Sequence, residues 1–170
     1  MHEQASACHH PAVSSKPFAV NLSDAPAFWS LGELLTMVAT AEQTGGAFSL
    51  MHERLPRGAE PPPHVHRRED EAFFLLDGEL TVRVGDQVFT ASSGSFVFCP
   101  RDVPHLLTVG SDEVRMLTLC TPGGVEKLFV ELGEPARERT LPPDDGGEPD
   151  VERIVTLAAH YGAEVLEDWP

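Results

Sequence analysis

"GAEPPPHVHRREDEAFFLLDGEL", residues 58–80, concentrates imidazoles and carboxylates at the point where a buried strand begins. His64 and His66 stand one residue apart behind three prolines, three acids follow, and an apolar run then ends at Asp77 and Gly78. Because alternate residues of a strand point to the same face, the two histidines can aim their imidazoles at one point. Imidazole is the commonest protein ligand of divalent transition metals, and a nearby carboxylate can add an anionic oxygen. This stretch therefore predicts one half of a metal site.

A third imidazole stands in a matching context in "GSFVFCPRDVPHLLTV", residues 94–109. There a β-rich run ends at Pro100, the chain turns, and the next strand begins at His105. The prolines of both turns restrict the backbone just before each histidine. A single His-x-His is weak evidence. Two histidine regions that each enter a strand from a proline-bearing turn together indicate a metal site.

Three neighbouring acids could supply the oxygen ligand. Glu69, Asp70 and Glu71 all suit the role chemically. Both faces of the following strand are apolar, so the alternation of side chains does not choose among them. The acids that are not ligands are expected to be solvated, near Arg67 and Arg68.

Composition narrows the classes of partner and location. The 170 residues suit one compact domain, and 12 basic against 27 acidic residues give a net charge of −15, which repels a nucleic-acid backbone. No apolar run reaches the length of a membrane span, and the first residues lack an apolar signal core, so we expect no membrane partner. Cys8, Cys99 and Cys120 are an odd number without close pairing, which favours reduced thiols in the cytoplasm.

Short β-rich runs separated by turn residues fill the middle of the chain. Residues 1–16 are polar, and we interpret them as a flexible N-terminal arm in which Cys8, His9 and His10 are part of a loose chain end. Residues 17–121 are expected to form one all-β barrel, because dense strands without intervening helical patterns are typical of that architecture. The predicted strands cover residues 34–40, 48–55, 71–76, 80–84, 87–90, 95–99, 105–109 and 114–119.

Residues 122–170 are expected to form a C-terminal helical extension of the same domain. "VEKLFVEL", residues 125–132, has helical spacing of apolar residues and stops at Gly133. An acidic, Pro-rich linker follows, and "VERIVTLAAHYG", residues 151–162, predicts a second helix with Asp150 as its N-cap. His160 lies beside the apolar face of that helix and is not expected to bind metal.

The histidine regions resemble the two motifs of the cupin family. The first motif reads Gly, five residues, His-x-His, four residues, Glu, six residues, Gly. Every spacing is kept here, by Gly58, His64, His66, Glu71 and Gly78.

The second cupin motif reads Gly, five residues, Pro-x-Gly, two residues, His, three residues, Asn. Gly94, Pro100 and His105 match it, whereas Asp102 replaces its second Gly and Val109 its Asn. Asp adopts left-handed backbone geometry more readily than most residues that carry a side chain, so the turn can survive the replacement.

This resemblance implies an all-β fold, the cupin double-stranded β-helix or jelly-roll barrel, with one or two C-terminal helices. It also chooses Glu71 among the acids and implies that His64, His66, Glu71 and His105 hold one divalent transition metal ion. Fe, Mn, Co, Ni, Cu and Zn all accept this set of donors. His52, an extra imidazole on a predicted strand, is left outside the set.

A mostly apolar pocket is expected beside the metal site, and such a pocket suits a flat organic ligand. Strand parity places four side chains with the ligands inside the barrel: Phe73, Leu75, Leu107 and Val109. Residues of neighbouring strands could close the pocket: Phe96 or Phe98, and Phe48, Leu50 or Met37. Cys99 and Cys120 are expected to be small buried residues rather than nucleophiles.

A closer resemblance covers roughly residues 18–166, including "TPGGVEKLFVELGEP", and is to single-domain cupins described as quercetin 2,3-dioxygenase-like. It implies a metal-dependent dioxygenase that cleaves flavonol-like or other enolisable aromatic substrates with dioxygen. Glu71 would be the catalytic base as well as a ligand, taking a proton from the substrate. Cupins of this kind usually pair, so a homodimer is expected.

Two other functions remain open at this point. A non-catalytic cupin that binds metal and a small ligand would need the same four ligands. A metal-dependent isomerase or decarboxylase of small polar acids or sugars would need basic residues inside the barrel. The strands offer mainly Arg83 and Arg115, and both are expected to point outward.

Overall fold

The computed structural model describes residues 15–143, 149–166 and 169, so the cluster of Cys8, His9 and His10 and most of the predicted N-terminal arm lie outside the described residues. Twelve strands and three helices are present in this part of the chain. The strands are β1 Ala27–Ser30, β2 Glu33–Ala39, β3 Ser49–Pro56, β4 His64–His66, β5 Asp70–Asp77, β6 Glu79–Val84, β7 Gln87–Ser92, β8 Phe96–Cys99, β9 His105–Val109, β10 Glu113–Thr121, β11 Glu134–Pro135 and β12 Ala163–Val165. The helices are α1 Ala41–Thr44, α2 Glu126–Leu132 and α3 Val151–Tyr161.

The strands form two antiparallel sheets whose inner faces enclose the core. One sheet has the order β11-β1-β2-β3-β10-β5-β8 and the other β12-β4-β9-β6-β7. Alternate residues of the central strands are buried, and Leu75, Leu80, Val82 and Val114 are among the side chains of the main apolar cluster. The predicted all-β barrel with C-terminal helices is confirmed.

The eight predicted strands are all present, and their ends differ from the prediction by at most two residues. The elements that the sequence did not indicate are short: β1, α1, β11 and β12 span two to four residues each. Runs of that length carry no readable periodicity, because a helical or strand pattern needs several repeats to emerge.

Both predicted C-terminal helices are present. α2 ends before Gly133, and α3 begins after Asp150, whose side chain accepts a hydrogen bond from the Arg153 N–H, and ends before Gly162. The apolar face of α3 packs on α2 and the barrel through Leu157 and neighbouring residues. None of the helices within the described residues has the length and apolar character needed to cross a bilayer.

The chain after α3 adds a strand beside the one that carries two of the histidines. β12 pairs antiparallel with β4, with Ala163 opposite His66 and Val165 opposite His64. The pairing continues at both ends of the two strands. The Arg67 N–H donates to the Gly162 carbonyl oxygen at 2.7 Å, and the Leu166 N–H donates to the Pro63 carbonyl oxygen at 2.8 Å. The extension therefore holds β4 in place.

The turn before His105 is formed although Asp102 stands where the second cupin motif has a Gly. Asp102 has φ +64°, the left-handed geometry that a Gly would adopt without strain. Its N–H donates to the His66 carbonyl oxygen at 2.8 Å. This bond ties the turn of the second motif to the strand of the first.

Candidate metal centre

Four side chains from three strands converge inside one end of the barrel. His64 and His66 come from β4, Glu71 from β5 and His105 from β9, and one potential ligand atom of each lies within 4.8 Å of all the others. His64 lies directly opposite His105 in the sheet, and their ring centroids are 4.3 Å apart. These are the four residues that the cupin resemblance implied. His52 is not in this group.

The Nδ1 nitrogens of two of the imidazoles, those of His64 and His105, lie beside backbone carbonyl oxygens. The Nδ1 atom of His64 lies 2.9 Å from the Pro62 carbonyl oxygen, and that of His105 lies 3.3 Å from the Val103 carbonyl oxygen. A ring N–H that donates from Nδ1 leaves the Nε2 lone pair free for a ligand. The Glu71 Oε2 atom lies 3.0 Å from the Nε2 of His105, so the donor atoms face one another.

Buried polar atoms at the centre lack hydrogen-bond partners within the described residues. They include Glu71 Oε2 and His105 Nε2. Leaving such groups unpaired is costly, so their presence calls for a partner. A cation held between them would supply it, and three imidazole nitrogens with one carboxylate oxygen suit a divalent transition metal. The residues present therefore fit such an ion.

The charge states at the centre also suit a cation. Burial and, to a smaller extent, the neighbouring His105 lower the pKa of His64 to about 4, so His64 is neutral at neutral pH. Burial raises the pKa of Glu71, but the surrounding histidines outweigh this and bring it to about 2, so Glu71 is ionised. Burial lowers the pKa of His66, yet the carboxylates of Glu71 and Glu69 raise it above its ordinary value. Neutral imidazoles and an ionised carboxylate are the forms that bind metal, so a proton on His66 would leave as the ion enters.

The expectation that Glu69 is solvated is wrong. Glu69 is 4% exposed, and its Oε2 atom lies 3.7 Å from the Nδ1 of His66, on the side of the ring away from the centre. Its position directly after two arginines in the sequence gave no signal of this burial. Asp70 forms an ion pair at 2.8 Å, but with Arg101 rather than with the arginines next to it in the sequence.

Glu164→Pro is expected to weaken metal binding about tenfold, since loss of contacts behind metal ligands costs about 10–100-fold in affinity. Glu164 lies opposite Val65 in the β12–β4 ladder, and proline there removes a backbone N–H that pairs the strands. β4 would then hold its histidines less firmly. Competition with a chromophoric chelator measures the affinity.

Glu164→Ala is the matched control for this experiment. It keeps the backbone N–H and removes only the exposed ion pair between Glu164 and Arg67, whose atoms are 2.7 Å apart. Exposed pairs contribute little, so this variant should bind metal as the wild type does. An equal loss in both variants would show that the ion pair, and not the strand, positions the histidines.

An open cleft of about 1140 Å³ reaches three of the four converging residues from the C-terminal extension, and His105 lies behind them. Two of the predicted pocket residues, Phe73 and Leu107, line it beside His64, His66 and Glu71. Its other walls come from β2, β3, β10 and the helices α2 and α3, and include Glu33, Glu53, Leu55, Met116, Leu128, Phe129 and Ile154. The helical extension is therefore part of the cleft rather than a separate layer.

The prediction that Phe96 or Phe98 closes the pocket is wrong. The two side chains are 62% and 50% exposed. Strand β8 turns Val97 and Cys99 inward instead, where Val97 lies opposite Phe73. A four-residue run with apolar residues on both faces does not reveal which face is buried.

Five further predicted pocket residues do not line the cleft. Leu75 and Val109 do lie inside the barrel, but they are packed in its main core. Met37 is buried in a second core cluster beneath the helices. Leu50 occupies the outer side of β3, and the half-buried Phe48 precedes that strand. Parity alone identifies a face of a strand, and not the level along the barrel at which the cleft opens.

The remaining predictions concern histidines, cysteines and arginines outside the four. His160 is exposed, and Cys99 and Cys120 are buried free thiols, as expected. Arg115 forms an exposed ion pair with Asp77. The guanidinium of Arg83 lies over the Trp169 ring, so neither arginine points into the barrel.

Two buried acids of the cleft, Glu33 and Glu53, were missed by the sequence reasoning. Burial raises the pKa of Glu33, and the carboxylates of Glu53 and Glu71 raise it further. Burial and the charge of Glu71 raise the pKa of Glu53 to about 8, against the effect of the Thr118 hydroxyl. The available signal was their parity, because each shares the inward face of its strand with buried apolar residues.

The contribution of Glu53 to the free energy of unfolding of the metal-free protein should fall as pH rises from about 4.5 to about 8, because folded Glu53 keeps a proton that the unfolded chain releases. Glu53→Gln carries no such proton. The difference obtained by subtracting the wild type's free energy of unfolding from that of Glu53→Gln should therefore increase toward alkaline pH, by up to about 1.4 kcal/mol per pH unit. Denaturant unfolding at several pH values, with a chelator present, measures the difference. A difference that stays constant with pH contradicts the assignment.

Comparison with known proteins gives a matching family model and two relatives that share one description. A family model described as the cupin domain matches residues 51–122. The quercetin 2,3-dioxygenase of Bacillus subtilis (strain 168) is 25% identical over 153 residues, which are 89% of this chain and 45% of that protein. The quercetin 2,3-dioxygenase of Aspergillus japonicus is 30% identical over 118 residues, which are 65% of this chain and 34% of that protein. The chain thus spans less than half the length of either relative.

Solved structures share the fold at low identity. A crystal structure of an RmlC-like cupin from Shewanella frigidimarina aligns with a TM-score of 0.57 and 16% identity, over 66% of this chain and 96% of that one. At this identity the likeness concerns the fold alone.

Proposed function

Because the chain belongs to the cupin superfamily, we propose that it is a metal-dependent dioxygenase that cleaves flavonol-like or other enolisable aromatic substrates. The observation that carries the proposal is the convergence of His64, His66, Glu71 and His105, the first three of which line an open, largely apolar cleft. The two curated relatives support the substrate class, since both are quercetin 2,3-dioxygenases.

The four side chains would hold one divalent ion of the series Fe, Mn, Co, Ni, Cu or Zn. Bound there, the ion would supply Lewis-acid stabilisation of a deprotonated substrate oxygen and open positions for substrate and dioxygen. The neutral imidazole of His64 and the carboxylate of Glu71 are already in the protonation states that this requires.

Glu71 would also accept the proton of the substrate's enol or 3-hydroxyl group. Its lowered pKa keeps it ionised throughout the neutral range, so the acceptor is always available. A strongly ionised carboxylate is a weak base, and the transfer therefore depends on a substrate hydroxyl that is itself acidified at the site. The side chains of Phe73, Leu107 and Met116 would flank the ring system and limit the access of water to it.

Metal analysis followed by oxygen uptake tests this function. The purified protein is reconstituted with each of several divalent metals, and oxygen consumption is recorded with a panel of flavonols and catechols. We expect uptake with at least one flavonol that depends on the metal. If all panel members bind and none consumes oxygen with any metal, the protein is a binding cupin without turnover.

We propose further that two copies pair through the outer face of β5 and β8. Phe74 lies opposite Phe96, and Ala72 lies opposite Phe98. The three phenylalanines are 40%, 62% and 50% exposed, and β8 is the edge of its sheet. In a chain of net charge −15, an uncharged apolar face is where a second copy can approach without repulsion. A cytoplasmic location, supported by the free thiols of the described residues, is also proposed.

Replacing Phe96 and Phe98 together by Ser should convert a dimer to a monomer. Both side chains are exposed, so the barrel core is not altered and the fold should be retained. Sedimentation equilibrium measures the mass of the wild type and of the double variant. A wild-type monomer, or a dimer that persists in the variant, contradicts this use of the face.

A further inference from the structure

Two buried carboxyl groups occupy a part of the cleft that the proposed chemistry does not use. Glu33 and Glu53 both line the cleft, and each is 6% exposed, so more than nine-tenths of each residue is buried. Neither belongs to the group of four that converges at the candidate metal centre. Burying a carboxyl group is costly unless something binds it, so these positions call for an explanation.

The strand register places the two acids together on the inner face. Glu53 lies opposite Leu35, and Glu33 precedes Leu35 by two residues on the same side of β2. Glu33 and Glu53 are therefore diagonal neighbours across two strands, a distance that long side chains span. Both carboxyl groups can reach the same part of a ligand.

The register also separates this pair from the candidate metal centre. On β10, Met116 lies opposite Glu53 and Cys120 lies opposite Glu71. The backbone levels of the two acids thus differ by four residues, on the order of 13 Å along a strand at about 3.3 Å per residue. An elongated ligand in the cleft can therefore reach Glu71 with one end and the acid pair with the other.

Among the described residues, no basic side chain neutralises the pair. Within the residues that the structure describes, neither Glu33 nor Glu53 forms a salt bridge, although arginines elsewhere pair with acids. Two adjacent acids without a cation retain a proton, and the raised pKa values of both agree with this. A protonated carboxyl donates one hydrogen bond and still accepts others.

We propose that Glu33 and Glu53 form a second polar subsite of the cleft, which hydrogen-bonds neutral hydroxyl groups at the end of the ligand remote from the candidate metal centre. Hydroxyl groups suit the pair because they both donate and accept, whereas an anionic group would meet two acids and be rejected. The subsite deepens the proposed function and rests on it for the aromatic class of the ligand. It sets which ring substituents the cleft prefers.

Equilibrium binding under anaerobic conditions tests the subsite without turnover. The protein is saturated with Zn²⁺, which has no redox chemistry, and is titrated with quercetin and with 3-hydroxyflavone. Both ligands carry the same 3-hydroxyl and carbonyl group, but 3-hydroxyflavone lacks the hydroxyls of the outer rings. We expect the wild type to prefer quercetin, and we expect Glu53→Leu to reduce that preference about five- to tenfold, as loss of a hydrogen bond of about 1 kcal/mol predicts.

Met116→Leu is the matched control, because it changes an apolar side chain of the same cleft with nearly the same volume. It should shift both affinities together and leave the preference unchanged. Glu33→Leu is the second variant, and it decides the question if Glu53→Leu does not fold. Zn²⁺ content and the thermal midpoint of each variant confirm that the centre and the fold are intact.

The proposal is overturned if the wild type shows no preference for quercetin, or if the folded leucine variants keep the preference of the wild type. This result is independent of catalysis. A preference that the leucine variants lose, in a protein that consumes no oxygen with any metal, supports the subsite and refutes the dioxygenase function.

Discussion

His105→Ala is expected to abolish stoichiometric metal binding, with a loss of affinity greater than about 100-fold. Loss of contacts behind a ligand already costs about 10–100-fold, and this change removes a ligand itself. His105 is 1% exposed, and its Nε2 atom faces Glu71 Oε2 at 3.0 Å without a hydrogen-bond partner. No other imidazole of the described residues is near enough to replace it. Metal content after dialysis against a weak chelator, measured by plasma mass spectrometry, checks the result.

His52→Ala is the control for this experiment. His52 lies half-buried on the outer side of β3, and burial lowers its pKa, but it is not among the four converging residues. Its removal should leave one metal per chain. Thermal unfolding of both variants without metal separates a lost ligand from a lost fold. Full metal occupancy in folded His105→Ala would overturn the assignment.

Glu71→Gln is expected to lower the turnover of an enolisable substrate by about two to four orders of magnitude, which is the usual contribution of a positioned base. Gln keeps the shape of the side chain and offers a carbonyl oxygen to a metal, but it does not accept a proton near neutral pH. Turnover is therefore compared per bound metal, by oxygen uptake over a range of pH. A substrate that is already ionised at high pH should escape part of the defect.

Glu69→Gln is the matched control, because Glu69 is the neighbouring buried acid and lies 3.7 Å from the far side of the His66 ring. It should weaken metal binding about tenfold, while turnover per bound metal stays close to that of the wild type. If Glu71 is only a ligand, activity of Glu71→Gln will follow metal content at every pH, with no recovery at high pH.

The sequence predicted the barrel and the four converging residues for different reasons. The strands were predicted from short β-rich runs and from the turn residues, chiefly Gly and Pro, that separate those runs. The choice of Glu71 came from the spacing of the cupin motif. Periodicity left Glu69 and Asp70 equally open, because the strand that follows is apolar on both faces. The motif succeeded because its spacing encodes a pairing between strands that are distant in sequence.

The cleft was harder to predict because its walls are formed by residues that are far apart in the sequence. Phe96 and Phe98 have the composition of pocket residues but face outward. Glu33 and Glu53 have the composition of surface residues but face inward. Whether a strand residue lies beside an opening depends on strand tilt and on what covers the barrel end, here the helical extension. β12 was missed for the same reason: three residues carry no pattern, and their strand exists only because β4 is there to pair with it.

One transition metal ion is expected to be held by His64, His66, Glu71 and His105. Crystallography of the metal-replete protein, with anomalous diffraction at the absorption edge of the bound metal, measures this most directly. We predict a single anomalous peak with the three imidazole nitrogens and a Glu71 oxygen about 2.0–2.3 Å away, as such donors normally lie. A peak elsewhere in the molecule, or His105 turned away from a metal held by other residues, would refute this set of four ligands.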